Sequence, residues 1–469
     1  MTAARRRLAR AVLMTVAAAY AGCTTAPARA PAVDRAPGRA AYRLSAADDA
    51  FLEDLSRRSF SFFWEQADAT SGIIRDRSGT DGGPSANESA REIGSIASVG
   101  FGLTGMCIAA ERGWLPYQQV VERTRRTLQF FASRLKHEHG WFYHFINLRS
   151  GVREWNSEVS SIDTALLVSG VLTVAQCFSA DRDVPRLAAA IYQRVDFQWM
   201  LAGAPLLLAH GWKPEEGFLA SRWDHYCELM ILYLLAIGSP THAIPAGSWH
   251  AWSRPTATFE GFRYVSAADP LFVHQYSHAW VDFRGIRERQ PPHIDWFENS
   301  ILATRAHKAF CLALAGEFPG YADAVWGITA SDSRNGYVAW GGPPRHPAID
   351  GSVVPAAAAG SLMFTPDIAV PAVREMYRKY GAAIYGRYGF ADAFHPTEAW
   401  VNPDVIGIDL GITLLSAENL RTGRVWTWFM KNPEIRAALA RAGLAADDAV
   451  AARRPMVSNL SVRFKPRAR

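Results

Sequence analysis

Helix-length segments that are apolar on every side alternate in this chain with segments that have one polar face. Residues 95–114 (SIASVGFGLTGMCIAAERGW) and 160–178 (SSIDTALLVSGVLTVAQCF) are apolar nearly all round, whereas residues 115–138 and 184–201 are amphipathic. A helix without a polar face must be covered on all sides, while a two-faced helix can lie outside it. The repeated pairing predicts an all-α fold built of concentric inner and outer helices, an α/α toroid.

Long connections rich in aromatic residues and glycine separate these helical pairs. Examples are residues 140–158 (GWFYHFINLRSGVREWNSE) and 326–351 (WGITASDSRNGYVAWGGPPRHPAIDG). Connections of this length inside a compact domain usually carry function, and they leave room for short β-hairpins at the mouth of a toroid. The composition does not change between residues 45 and 455, which predicts one catalytic-size domain over that range.

The charge balance argues against a nucleic-acid partner. The formal net charge is +6, but four arginines lie in the first ten residues, and without them 46 Lys+Arg face 44 Asp+Glu. A balance near neutrality does not indicate an anionic partner. Hydrophobic residues make up 49% of the 469 residues, which is enough for a large core.

The N-terminus resembles an export signal. Residues 1–22 combine an arginine-rich start with an apolar stretch too short to span a bilayer, and Cys23 follows Ala and Gly as at a lipoprotein cleavage site. Tyr20 departs from that pattern, so an ordinary secretory signal with an incidental Cys23 stays open. Residues 23–44 are predicted to be an Ala/Pro-rich tether and residues 456–469 a basic tail. The predicted location is the periplasm, with lipidation of Cys23 and an outer-membrane lipid anchor as the membrane contact.

The other sequence motifs exclude several classes of site. The four remaining cysteines lie in apolar runs without CxxC spacing, which predicts buried free thiols. Dinucleotide, phosphate-loop, serine-hydrolase and HExxH zinc motifs are missing. In HQYSH (274–278) two histidines stand four residues apart, but a third ligand is missing nearby, so we predict neither a metal nor another cofactor.

Three carboxylates stand where apolar helices begin. Asp163 lies in SSIDTALL, Glu228 in WDHYCELM and Asp409 in GIDLGITL, with Glu418 further along the last segment. Acids in a first helical turn are stabilised by the helix dipole and by free amides, so each could be a structural acid only.

The toroid gives these acids a second interpretation. Inner helices that run in the same sense bring their N-termini to one mouth, so the acids converge there. Burial raises the pKa of a carboxyl, which suits a general acid. Trp155, Trp223 and Trp400 precede the three acids in sequence. Aromatic platforms beside paired carboxylates are typical of a sugar-cleaving site.

Six blocks in order resemble a known family. They are SIASVGFGLTGMCIAAERGW, WNSEVSSIDTALLVSGVLT, GWKPEEGFLASRWDHYCELMILYLLAIGSPTH, PLFVHQYSHAWVDFRG, WGITASD and GIDLGITLLSAENLRTG. Together they resemble the bacterial glucoamylase-like domain, whose relatives include the endo-β-1,2-glucanases, from about residue 50 to about residue 445. The resemblance implies an (α/α)6 barrel that hydrolyses glucan by inversion and without a metal.

The resemblance also implies residue roles. Glu228 matches the glutamate regarded as general acid in the endo-β-1,2-glucanases, and Asp163 falls where those enzymes carry an acid in the cleft. Asp409 is our candidate for the base that activates water, with Glu418 as the alternative base.

Seven side chains are candidates for holding sugar rings and hydroxyls. The tryptophans could instead be core, the histidines satisfied interior groups, and Arg284 a paired structural arginine. The candidates are Trp155, Trp223, His274, Gln275, His278, Arg284 and Trp400.

The leading hypothesis is a monomeric periplasmic glycoside hydrolase that acts on β-glucan, most directly as an endo-β-1,2-glucanase. An exo-glucosidase or a transglycosylase on the same fold is the enzymatic alternative. A glycan-binding lipoprotein without catalysis is the alternative from a different class.

Overall fold

In the computed structural model, which describes residues 42–267 and 270–446, the predicted helical segments fold as helices close to their expected bounds. The segment predicted over 184–201 is shorter, because the Asp196 side chain accepts a hydrogen bond from the Trp199 amide (2.9 Å) and starts a separate turn. The described residues form fourteen α-helices: α1 (Ala46–Glu65), α2 (Ile96–Arg112), α3 (Tyr117–Ser133), α4 (Ser161–Cys177), α5 (Asp183–Gln193), α6 (Met230–Gly238), α7 (Ser248–Ala251), α8 (Tyr276–Trp280), α9 (Trp296–Ala313), α10 (Pro355–Ala359), α11 (Pro366–Ile384), α12 (Gly407–Arg421), α13 (Arg424–Phe429) and α14 (Pro433–Arg441).

The strands are short and pair into small antiparallel sheets. In the described part of the chain they are β1 (Arg77–Gly79), β2 (Ile93–Ser95), β3 (Phe145–Asn147), β4 (Val159–Ser160), β5 (Gly211–Lys213), β6 (Gly217–Phe218), β7 (Thr256–Phe259), β8 (Phe262–Val265), β9 (Ile286–Glu288), β10 (Ala330–Ser333), β11 (Gly336–Ala339), β12 (Tyr385–Gly386), β13 (Gly389–Phe390), β14 (Phe394–His395), β15 (Trp400–Val401), β16 (Asp404–Ile406) and β17 (Leu444–Ala446). Pairs β1–β16, β2–β3 and β4–β5 join segments far apart in sequence, while β7–β8 and β10–β11 are hairpins.

Six helices form a closed inner ring. In ring order, α2 contacts α4, α4 contacts α6 and α6 contacts α8. Helix α10 contacts α12, and α12 contacts α2. The Gln275 amide closes the step from α8 to α10 by donating to the Ala357 carbonyl (2.9 Å). Every residue of α6, α8 and α10 is buried, as the absence of a polar face requires.

The two-faced helices lie outside this ring. Helix α3 packs on α2, α5 on α4, α14 on α6 and α11 on α10, while α1 covers α12 and α2. Helix α9 lies beside α8, where the Ser300 hydroxyl meets the His278 ring (3.1 Å). Helix α5 buries one face only, through residues such as Leu187 and Ile191. The pairing of six inner with six outer helices confirms the predicted (α/α)6 barrel.

Several inner helices begin at the same end of the barrel. The amide of Ile96, which opens α2, donates to the His144 carbonyl (3.4 Å), and the Ser160 amide donates to the Phe142 carbonyl (3.0 Å) just before α4. The Gly407 amide, which opens α12, donates to the Asp76 carbonyl (2.8 Å). Short strands therefore tie the helix starts together and gather their first turns at one mouth.

The described cysteines are free thiols: Cys107, Cys227 and Cys311 are buried, and Cys177 is partly buried. Within the same residues, none of the helices has the length and apolar character that crossing a bilayer requires. The predicted signal segment, the lipidation site Cys23 and the tail at 456–469 lie outside the described residues.

Candidate active site

The three predicted acids lie at the starts of three inner helices. Asp163 and Asp409 are buried in the first turns of α4 and α12. Ser160 caps α4, and its hydroxyl donates to the Asp163 carboxylate (2.6 Å). Glu228 is half-buried in the turn before α6, where its backbone carbonyl accepts a hydrogen bond from the Ser277 hydroxyl (2.7 Å).

Two other groups interact electrostatically with more than one of these acids. The charge of Asp76, which precedes β1, adds to burial in raising the pKa of both Asp163 and Asp409. Burial together with the charges of Asp409 and Glu228 raises the pKa of the Tyr276 phenol. Because such effects fall off with distance, Asp76 lies near the first two acids and Tyr276 near the last two.

On the Asp163 side, a histidine bridges two carboxylates. His144 Nδ1 lies 3.1 Å from Glu158 Oε1, and its Nε2 lies 3.4 Å from Asp163 Oδ1. Burial alone would lower the pKa of His144, but the charges of Asp163 and Glu158 outweigh it and raise the pKa to about 9. Burial opposes ionisation of Glu158 as well, yet the bond to His144 holds its pKa at about 2. At neutral pH, His144 is therefore an imidazolium that donates a hydrogen bond to Glu158 and forms an ion pair with Asp163.

The same three residues have the composition of a cation site. One ligand atom from each of His144, Glu158 and Asp163 lies within 4.8 Å of the others. A metal binds the neutral imidazole, so it would have to displace the proton that these two carboxylates hold on His144. The arrangement therefore favours a protonated bridge over a metal centre.

On the Asp409 side, two buried carboxyls are hydrogen-bonded to each other. Burial and the charge of Asp392 raise the pKa of Asp409, and burial also raises the pKa of Asp392. Asp392 accepts further hydrogen bonds from the Ser331 hydroxyl and from the Ile406 amide (3.3 Å), which stabilise its charge. The pair therefore holds one proton, carried by Asp409, and one negative charge, carried by Asp392.

An arginine supplies a second cation. Arg77 of β1 bonds to Asp76 (2.8 Å) and to Asp332 of β10. Burial raises the pKa of Asp332, while Arg77 opposes that rise. We call these groups the acid cluster: Asp76, Glu158, Asp163, Asp332, Asp392 and Asp409, with His144 and Arg77 as its cations.

The predicted tryptophans have three different environments. Trp155 is exposed, with its ring edge against Phe145 (centroids 4.8 Å apart). Trp223 is buried, donates to the Ser161 hydroxyl (2.7 Å) and stacks on His210 (4.0 Å). Trp400 of β15 is half-buried. Of the three, Trp155 presents a ring to solvent beside the acid cluster, whereas Trp223 is buried against the start of α4.

Four other predicted sugar ligands have partners within the protein. His274 is buried against the Tyr226 hydroxyl (3.0 Å), and burial lowers the pKa of His274 and of His278 to about 3. These two histidines lie on separate helical turns and bond different partners. Gln275 is buried between α8 and α10, and Arg284 is bound to Asp282 (2.7 Å). A role of these four residues in sugar binding stays a prediction.

The alternative base, Glu418, lies away from the mouth. It stands nine residues after Asp409 on α12, about 13 Å further along the axis. Its carboxylate is buried in an ion pair with Arg112 (2.7 Å). This position indicates a structural role, and the assignment of Glu418 as the alternative base stays a prediction.

Sequence reasoning missed four of the six acids of the cluster and both of its cations. His144 and Glu158 stand in WFYHF and WNSE, within a loop already marked as aromatic-rich, and Asp76 and Arg77 stand in RDRSG. Asp392 carries no local signal, because only the packing of its loop against α12 brings it to Asp409. A loop of unusual length and aromatic content was the one usable sign.

Comparison with known proteins supports the same resemblance. Residues 220–433 match the Glycoamylase family model, described as "Putative glucoamylase". An exo β-1,2-glucooligosaccharide sophorohydrolase (non-reducing end) of Parabacteroides distasonis is 26% identical over an alignment of 430 residues. The match covers 83% of this chain. The chain spans 57% of the length of that curated relative.

Two solved structures share the fold over nearly their whole length. An endo-β-1,2-glucanase from Chitinophaga pinensis, in complex with sophorotriose and glucose, has a TM-score of 0.79 and 28% identity, covering 86% of this chain and 99% of that one. A "putative glucoamylase" from Bacteroides caccae has a TM-score of 0.79 and 29% identity. The match covers 85% of this chain and 100% of that one. The resemblance to the glucoamylase-like family and its β-1,2-glucanase relatives is confirmed.

Proposed function

We propose that this chain, a relative of the glucoamylase-like proteins, hydrolyses β-glucan, and that β-1,2-glucan is its substrate. The observation that supports the proposal is the position of three acids at the starts of inner helices: Asp163 in the first turn of α4, Asp409 in the first turn of α12 and Glu228 just before α6. Similarity to an endo-β-1,2-glucanase, over 99% of the length of that chain, supports the linkage.

The proposed reaction is direct displacement by water with inversion. Glu228 gives its proton to the glycosidic oxygen while water attacks the anomeric carbon from the other face of the ring. The Asp392–Asp409 pair can take the proton of the water because the pair holds one negative charge. Asp409 receives this proton, and the proton that Asp409 carried before moves to Asp392. The Asp163 carboxyl, oriented by Ser160 and His144, lies beside these groups and binds sugar hydroxyls.

The proposal is tested by product analysis after incubation of the protein with linear β-1,2-glucan, laminarin and soluble starch. Glu228→Gln should lower kcat on β-1,2-glucan by about 10²–10⁴-fold, because proton donation is lost, and should leave binding nearly intact. Glu122→Gln, on the outer face of α3, is the matched control and should keep full activity. Full activity of Glu228→Gln would remove Glu228 from the role of acid.

A second candidate is release of the disaccharide from the chain end. The sophorohydrolase of Parabacteroides distasonis favours it, since its similarity covers most of this chain. Early products separate the two modes: a ladder of oligosaccharides indicates internal cleavage, and the disaccharide alone indicates cleavage at the end. A glycan-binding lipoprotein would bind without producing either.

For the location, we propose export and lipid anchoring through Cys23, supported by the arginine-rich and apolar pattern of residues 1–22. Labelling of growing cells with a fatty-acid analogue should mark the full chain, and Cys23→Ala should remove the label. A labelled Cys23→Ala variant would contradict this proposal.

A further inference from the structure

Two exposed aromatic rings border the acid cluster. Large apolar side chains are strongly exposed at a few places in the described chain: Tyr42, Tyr117, Val152, Trp155, Tyr337 and Tyr377. Two of them, Trp155 and Tyr337, belong to segments that also contribute or contact cluster residues. Single exposed apolar residues are common on protein surfaces, so the position of these two rings beside the cluster, rather than their exposure, makes them candidates for a ligand.

Trp155 is held in the open by a strained turn. Trp155 and Asn156 both have positive φ (53° and 50°), a region that asparagine tolerates and that bulky residues such as tryptophan rarely adopt. Arg153 holds this turn by donating to the Asn156 carbonyl (2.8 Å), to the Ser157 carbonyl and to Glu215 (2.6 Å). The backbone therefore gives up stability to present a ring that is 42% exposed.

A chain of ring contacts connects Trp155 with the Asp163 side of the cluster. Its ring edge meets Phe145, and Phe145 stacks on His144 with centroids 3.8 Å apart and planes 17° from parallel. His144 in turn contacts Asp163. A ring bound on Trp155 would therefore lie two ring contacts and one ion pair away from Asp163.

Tyr337 borders the Asp409 side. It lies on the β10–β11 hairpin directly opposite Asp332, so both side chains project from the same face. Asp332 is bound to Arg77, which fixes that face toward the cluster. Burial and the charges of Asp409 and Asp392 raise the pKa of the Tyr337 phenol, although 47% of the residue is exposed. Tyr337 therefore lies on the hairpin face that carries Asp332, and the residue is accessible at the surface.

We propose that Trp155 and Tyr337 are stacking platforms for glucosyl rings on opposite sides of the cleavage point, so that a saccharide reaching both platforms is the preferred substrate. This inference rests on the proposed function. The apolar C–H face of a glucosyl ring fits an exposed indole or phenol ring, and the acid cluster between the two platforms is where the scissile bond would lie. The platforms set which chain lengths are cleaved efficiently, whereas the acids set the chemistry.

The test compares a short with a long linear β-1,2-gluco-oligosaccharide. Trp155→Ala and Tyr337→Ala should each raise KM for the long oligosaccharide about tenfold, with kcat nearly unchanged, because one stacking contact is lost. Tyr337→Phe keeps the ring and should restore the KM of the unmodified protein. Tyr117→Ala removes an equally exposed ring from the outer helix α3 and serves as control.

Binding measured calorimetrically in the Glu228→Gln background separates this inference from the proposed function. If long oligosaccharides bind but the unmodified protein does not cleave them, the hydrolytic proposal fails, and weaker binding in the platform variants would still support the platforms. If cleavage occurs and both alanine variants keep KM and affinity for the long oligosaccharide, the platforms are overturned. A protein that binds none of these saccharides overturns both.

Discussion

At the scale of single residues, the Asp392–Asp409 pair determines the charge of the site. Asp392→Asn removes the neighbouring anion that raises the pKa of Asp409. The pKa of Asp409 should then fall, so that Asp409 is ionised at lower pH. In the unmodified protein the acidic limb of the kcat profile follows protonation of the pair's single negative charge, which hydrogen bonds to Asp392 stabilise. In the variant the base is Asp409 alone, whose pKa burial still raises. We therefore expect the acidic limb on β-1,2-glucan to move to higher pH, with a reduced plateau because the proton relay is lost.

The pH profile of kcat distinguishes a changed pKa of the carboxyl pair from simple damage to the fold. Asp323→Asn, on the surface beside Lys308, is a matched control and should leave the acidic limb in place. A limb that moves to lower pH, or that does not move in Asp392→Asn, would contradict a shared proton.

His144 couples the stability of the molecule to pH. Its pKa is about 9 in the folded protein against a usual 6.5, so its stabilising effect is complete below pH 6.5 and is lost as the pH rises through 9. At 1.36 kcal/mol per unit this is at most about 3 kcal/mol. We expect the free energy of unfolding to fall between pH 6.5 and 9, and His144→Gln to weaken that dependence.

Denaturant unfolding at several pH values measures this effect. The exposed His225→Gln serves as control and should keep the slope of the unmodified protein. Equal slopes for His144→Gln and the unmodified protein would show that His144 is not held as an imidazolium.

Sequence and structure agree best at residues whose position a helix dictates. Asp163 and Asp409 could be located because the first turn of an apolar helix is recognisable from the sequence. Four-residue spacing would place His274 and His278 on one helical face. The two residues do not share such a face, because the chain changes from a 3₁₀ turn to α8 between them. Asp392 and Tyr337 could not be predicted, because long-range packing alone gives them their neighbours.

At the scale of elements, the contact between α2 and α4 depends on two glycines. A Cβ on Gly170 would lie 2.1 Å from the Gly100 carbonyl oxygen, and a Cβ on Gly100 would lie 2.2 Å from the Leu166 carbonyl oxygen. These are backbone atoms, so the two helices would have to separate. Gly170→Ala should therefore lower the free energy of unfolding by about 3 kcal/mol, as overpacking does.

Thermal or denaturant unfolding checks this expectation. Gly316→Ala is the matched control, because a Cβ there meets open space and should have little effect. Because α4 carries Asp163, Gly170→Ala should also reduce activity on β-1,2-glucan. A stability equal to that of the control would mean that the helices are not in backbone contact.

The helices were easier to predict than the strands for a physical reason. A helix apolar on all sides, such as α6, must be internal wherever it packs, so periodicity alone assigns it to the inner ring. The strands have two to four residues and pair with distant segments, such as β1 with β16. The pairing registers of these strands depend on how the ring of helices closes. Local sequence periodicity does not encode that closure.

At the scale of the whole molecule, closure of the ring joins the first helix to the last inner one. Helix α1 packs on both α12 and α2. An ionic network accompanies this packing: Arg112 of α2 bonds Glu418 of α12 (2.7 Å) and Glu53 of α1 (2.9 Å), and Arg421 bonds Glu53 (2.7 Å). The network lies near the end of α12 remote from Asp409, so it fixes the helix that carries the acid without touching the reaction.

Glu418 therefore distinguishes a stabilising acid from a catalytic one. Glu418→Gln should leave kcat on β-1,2-glucan unchanged and lower the free energy of unfolding by about 1–3 kcal/mol, because Arg112 retains Glu53. Arg112→Met should cost more, about 3–5 kcal/mol, because it leaves the Glu418 charge buried and unpaired. Unfolding curves and kcat measured on the same preparations compare the two variants. A folded Glu418→Gln protein that has lost its activity would make Glu418 the base, and the mouth of the barrel would then be the wrong place for the chemistry.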